Sequence, residues 1–179
     1  MNTEENIVKL LKEKASTKQK VYRITKAVFS DFQEILKKKA STLNKNVDDN
    51  NVEVSYDEAG DFDAKFKFSG DTLLFNMHSN VFDFDISHQV HQTSYVKGDK
   101  MRSFCGVINI YNFLSDSLKY NRLNDAGFLI ARVFINKDNH FFVEGDKHLG
   151  FLFNDFVNQQ IDSSQIDKIV NAAITYSLN

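Results

Sequence analysis

Five side chains able to hold a metal or move a proton stand close together in the chain: His78, Asp83, Asp85, His88 and His91. The spacing His88-x-x-His91 would set two imidazoles on one helical turn, and zinc or iron needs three or four such ligands converging. His78, His88 and His91 are therefore the candidate metal ligands. Phe82, Phe84 and Ile86 alternate with Asp83 and Asp85, however, which is the pattern of a strand whose acids face water. On that competing reading the same residues are a solvated strand face followed by a polar loop.

Cys105 is the single cysteine, so an intrachain disulfide and a cysteine-based structural zinc site are both excluded. A nucleophilic thiol needs exposure and a lowered pKa, whereas Cys105 follows Phe104 inside an apolar run, the position of a buried filler. Asp116 and Asp125, with Tyr111, Tyr120 and Arg122 around them, contain the groups of acid–base chemistry, but that chemistry depends on a fixed separation. Otherwise they are turn and capping residues. No GxGxxG and no GxxxxGK[ST] occurs, so the glycine loops that cradle phosphates are missing and no cofactor is implied.

Arg132 is the one charge within the apolar run Phe128–Ile135. Asn136-Lys137-Asp138-Asn139 suits a three-residue hairpin loop with Asn139 in the left-handed region, which pairs Asn136 with His140 and sets Arg132 opposite Glu144. A strand apolar on both faces is expected to be covered on both sides. A charge there must be paired or ligand-bound, which predicts either an Arg132–Glu144 bridge or an anion-binding arginine. Arg132, Glu144, Tyr111 and Arg122 are the candidate ligand-binding residues.

The elements that must position these groups follow from periodicity. Asn2-Thr3-Glu4-Glu5 offers an N-cap with Glu at the third helical position, and apolar residues recur at helical spacing from Ile7 to Val47. An unbroken helix over residues 3–46 would run ~65 Å, whereas a compact chain of this length is ~40 Å across. A break or kink is expected around Ala15–Lys20; a continuous helix would overhang and need a partner, most simply a second copy. Strands follow: one opened by Val52 and Val54, Phe62–Phe68 alternating with lysines, Thr72–Met77, Phe82–Ile86, Phe104–Tyr111, the hairpin itself and a last one over Lys147–Phe153. His88–Arg102 is expected to be a long loop, and Asn112–Asn124 a short helix or a loop. Asp162-Ser163-Ser164-Gln165 is a capping-box-like start, with Ile161 and Ile166 placed as a hydrophobic staple for a final helix over 162–178.

Helix, about seven strands, then helix, without β-α alternation, is an α+β chain with an antiparallel sheet. At 179 residues and 42% hydrophobic content it is expected to form a single domain, 1–179, with a helical segment at 1–46 and the sheet within 52–153. The net charge of −2 conceals a division. Residues 1–46 hold 11 Lys/Arg and 5 Asp/Glu, or +6, and the rest hold 11 against 19, or −8. Such a helix can face a polyanion or complement the chain's own acidic body; the second is expected, and nucleic acid is the less favoured partner. No stretch reaches the ~20 apolar residues of a membrane span, and cysteine usage with the charged N-terminal segment suits the cytoplasm. These features point to a non-enzymatic protein-binding or adaptor module, with protein as partner and self-association as a homodimer. The alternative is a small-molecule-binding protein or small enzyme whose pocket lies near the 88–102 loop and the 111–125 segment.

Overall fold

The computed structural model describes residues 2–122, 125, 127–146 and 148–179. The chain is α+β: a long N-terminal helix and a C-terminal helix lie with a six-stranded antiparallel sheet. Helix α1 (Thr3–Leu10) starts where expected, with the Asn2 amide donating to the Glu5 carboxylate at 3.0 Å. It runs through one π-helical turn, Leu11–Ala15, into α2 (Ser16–Asn46). The helix is not interrupted at Ala15–Lys20, where a break or kink was expected; a π-helical turn that ends at Ala15 stands there instead and keeps the chain helical. Val21, Val28, Phe32 and Leu36 of α2 form its buried stripe, and from Thr3 to Lys20 nothing is buried.

Strands β1 (Val54–Glu58), β2 (Asp63–Phe68), β3 (Asp71–Met77), β4 (Cys105–Leu114), β5 (Phe128–Asn136) and β6 (Phe141–Gly145) pair in sequence order. Between β3 and β4 lies a segment with helix α3 (Ser94–Gly98), and α4 (Ser115–Lys119) follows β4 directly. Helix α5 (His148–Leu152) and helix α6 (Ser163–Leu178) complete the chain. Six strands form where about seven were expected, because two candidates do other work. Phe82 makes one isolated bridge to Cys105, and Asp85 then accepts from the Ser87 amide at 2.9 Å and its hydroxyl at 2.7 Å, turning the chain before a strand can extend. Near the C-terminus, Leu149 and Phe153 are buried while Phe151 is 75% exposed. Leu149 and Phe153 are four apart, so the spacing that imitates alternation is helical. Lys147, and Leu123 and Asn124 of the 111–125 segment, lie outside the described residues.

One face of the sheet carries the main core. Phe29, Phe32 and Leu36 of α2 and Ile166, Ile169 and Val170 of α6 pack on Phe66, Phe75, Ile108, Val133 and Phe141. Helix α2 crosses β4 so closely that a Cβ on Gly106 would overlap the Thr25 side chain, which leaves glycine as the residue that fits. Thr25 is itself fully buried, its hydroxyl donating to the Val21 carbonyl at 2.8 Å.

The other face is covered only in part. The 88–102 stretch is no open loop: two short 3-10 turns, Gln89–Gln92 and Lys100–Ser103, flank α3, started by the side chains of His88, Thr93 and Asp99. Val90 and Val96 from this strap, with Phe84 and Tyr95, pack on Cys105, Val107, Phe134, Phe142 and Phe156 as a second, smaller core. The hairpin loop anchors it. Asn139 has φ 62°, and Asn136, fully buried, accepts from the amides of Asp138 and His140 at 2.9 and 3.0 Å. Its side-chain amide donates to the Tyr95 hydroxyl and the Arg102 carbonyl at 3.1 and 3.2 Å, so one asparagine joins the loop to the strap.

Candidate functional site

The expected register is present: Arg132 lies opposite Glu144 and Asn109. The expected cover and bridge are not. Arg132 is exposed, and Glu144 instead sits 3.5 Å from His88 Nε2. Among the described residues Arg132 forms no ion pair. An exposed guanidinium keeps its hydration, so the argument that a covered charge must be paired does not apply.

Register places Arg132 in a row of polar residues that crosses five strands: Glu144, Arg132, Asn109, Asn76 and Asp63 are successive cross-strand neighbours. The Asn76 amide donates to the Asp63 carboxylate at 2.7 Å within it. Tyr111 lies two residues along β4, opposite Leu74, its ring 6.3 Å from that of Phe113. Arg132 and Glu144 border one shallow depression, whereas Arg122 lies on the rim of another, so the structure does not gather the four candidate ligand-binding residues into one site.

The histidines are likewise separated by their local bonds. His78 Nδ1 accepts from the Asn80 amide at 3.1 Å, with its ring against Phe82. His88 stacks on Phe84 and its Nδ1 accepts from the Val90 amide at 3.3 Å, which leaves Nε2 toward Glu144. His91 Nε2 meets the Phe84 carbonyl at 3.0 Å. Among the described residues no three His, Cys, Asp or Glu side chains are grouped to hold a metal. Cys105 is fully buried, and burial first, with the charge of Asp83 second, pushes its thiol pKa up, away from a thiolate.

Protein-family models, curated proteins and solved structures give no match to this chain.

Two surface features remain. The first is the arm formed by α1 and the π-helical turn, on which Ile7, Val8, Leu10 and Leu11 are 52%, 42%, 44% and 59% exposed. Helical spacing groups them on one side, and between the arm and the sheet a cleft of about 460 Å³ is lined by Ile7, Leu10, Leu11, Ala15 and Phe104. Lys18 closes its base, the ammonium 5.7 Å from the Phe104 ring centroid. No helix in the described structure is long and apolar enough to cross a membrane. The second is a groove of about 520 Å³ on the bare end of the sheet, floored by β1, β2 and β3 and walled by α4. Segment 111–125 thus does border this groove, and 88–102 does not. Lys65 and Lys67 announce themselves in the sequence as the wet side of an alternating strand. That α4 and the residues just after it bring Lys119 and Arg122 to the same groove has no signal in the spacing.

Proposed function

We propose that the protein is a protein-binding module whose docking element is the N-terminal arm, and that the arm's occupant is a second copy of the same chain. The observation that carries this is the overhang: from Thr3 to Lys20, ~27 Å of helix at 1.5 Å per residue, no residue is buried, yet the arm keeps a four-residue aliphatic stripe. Isolated helices of this length are marginal in water, and an exposed apolar stripe beside a cleft is a surface built for another helix.

Charge selects the occupant. The arm is acidic at its tip, Glu4 and Glu5, and predominantly basic toward the body, Lys9, Lys12 and Lys14. Two arms running antiparallel bring Glu4 and Glu5 of each alongside Lys12 and Lys14 of the other, with Ile7, Leu10 and Leu11 meeting between them. A parallel pairing would oppose like charges. Arm-on-arm contact through four aliphatic residues a side falls short of the about 1,200 Å² of a stable interface, so each arm also fills the partner's cleft beside Phe104.

Light scattering tests this. The wild-type chain is expected to be a dimer, and L10E/L11E a monomer with unchanged thermal stability. E4K/E5K should weaken the dimer, and adding K12E/K14E should restore it, a rescue that only the antiparallel arrangement allows. A wild-type monomer at high micromolar concentration would reject the proposal.

A further inference from the structure

The groove on the bare end of the sheet goes beyond that reading and shares no residue with the arm. Residues 47–179 carry 11 Lys/Arg against 19 Asp/Glu, so a cationic surface is not what their composition provides on average. The groove reverses the balance: Lys65, Lys67, Lys119 and Arg122 line it against Asp57 and Asp116, or 4 − 2 = +2. Lys65 and Lys67 rise from β2 because alternation puts them opposite the buried Ala64, Phe66 and Phe68. Lys119 and Arg122 come from the far wall. That wall is held to the floor by the Thr72 and Ser115 hydroxyls, 2.8 Å apart, and by the Ser115 amide donating to the Gly70 carbonyl at 2.8 Å.

We propose that this groove binds a compact, multiply charged phosphate-bearing small molecule, of the organic di- or triphosphate class. Its volume lies within the ~300–1,000 Å³ of small-ligand sites. Two lysines on the floor and two cations from the wall exceed what one carboxylate would satisfy, and both lysine point charges and the planar arginine fork suit phosphate oxygens. The cations are available. Lys67 pairs with Glu53 at 2.8 Å, Arg122 with Asp125 at 3.8 Å and Lys65 with Asp57 at 4.0 Å, but all three acids reach solvent, and such surface pairs are worth ~0–1 kcal/mol, so a multivalent anion displaces them at little cost. Asp57 and Asp116 interrupt the positive lining, so the groove suits a short anion rather than a nucleic-acid backbone, which needs a longer run of cations.

Calorimetric titration with pyrophosphate and with ATP, at low and moderate salt, tests the site. Both probes are expected to bind the wild-type chain, more weakly as salt rises. K65A/K67A and K119A/R122A should each lose about tenfold or more in affinity with native circular dichroism, while K97A/K100A, outside the groove, should bind as wild type. E53Q, which removes the competing carboxylate, should tighten binding, and it serves as the test if the lysine variants fold poorly. No binding of either probe at low salt, equal affinity in the groove variants, or a short RNA oligonucleotide displacing both probes through the same residues would overturn the proposal.

Discussion

The two faces of the sheet are made from the same strands, yet they differ in what lies over them. On one, α2 and α6 exclude water from Phe66, Phe75, Ile108 and Val133. On the other, the strap between β3 and β4 covers Val107, Phe134 and Phe142 but not Arg132, leaving Lys65 and Lys67 on bare sheet. Two steps along the strap-side face of β5, from Phe134 to Arg132, move a side chain from burial to solvent. An apolar strand therefore shows that both of its faces have partners somewhere along its length; it does not show that every position does.

The largest expected effect lies on the helix-covered face. Phe75→Ala should cost about 3–5 kcal/mol in urea denaturation, because a ring closed in from α2 and the sheet leaves a cavity that the surroundings refill only in part. Gly106→Ala should cost about 1–3 kcal/mol or more by pushing Thr25 and α2 off β4. If either proves harmless, the close seat of the helix on this face is wrong.

The strapped face should respond less. Asp138 accepts from Arg102 Nε at 3.0 Å and from the Tyr95 hydroxyl at 3.2 Å, so Asp138→Asn, which weakens both bonds, should cost about 1–3 kcal/mol. Burial alone would raise the Asp138 pKa, but Arg102, Lys137 and Tyr95 together outweigh it and hold the carboxyl below its usual range; Asp99 is lowered chiefly by its bond to Lys137. A depressed carboxylate contributes stability that is present above the unfolded pKa, near 4, and lost as pH falls through the lower folded value. The wild-type melting temperature should accordingly fall on acidification below about pH 4, and Asp138→Asn should show a shallower fall. Equal slopes would remove Asp138 from the account of this face.

The smallest effect belongs to the bare end. Arg132→Ala should change stability by no more than about 0.5 kcal/mol, and combining it with Glu144→Ala should show no coupling, since Glu144 faces His88. A loss of several kcal/mol, or strong coupling between the two, would mean that this part of the sheet is covered after all.

Much of the hairpin was legible because its signals are local. The loop length, the left-handed Asn139 and the Arg132–Glu144 register all follow from one turn and the two-residue period of the strands. The start of α1 at Thr3 and the Asp162 cap of α6, whose carboxylate accepts from the Gln165 amide at 2.8 Å, were legible for the same reason. Phe82–Ile86 and Leu149–Phe153 misled because five-residue apolar patterns fit strand and helix alike, and only their neighbours decide between them. In the candidate groove, the sequence marks Arg122 and the wet lysines of β2. It does not mark the facing of α4 on β3, which depends on bonds between residues 43 apart, Thr72 and Ser115.

By itself, then, the sequence determined the class of the fold, the order of most elements, the turn chemistry and the charge division, all set by interactions between residues a few positions apart. Tertiary structure decided which strand positions are covered, that the N-terminal helix continues unbroken with its first turns unburied, and which cations meet. Those outcomes depend on where one element ends against another, and neither periodicity nor spacing along the chain encodes that distance.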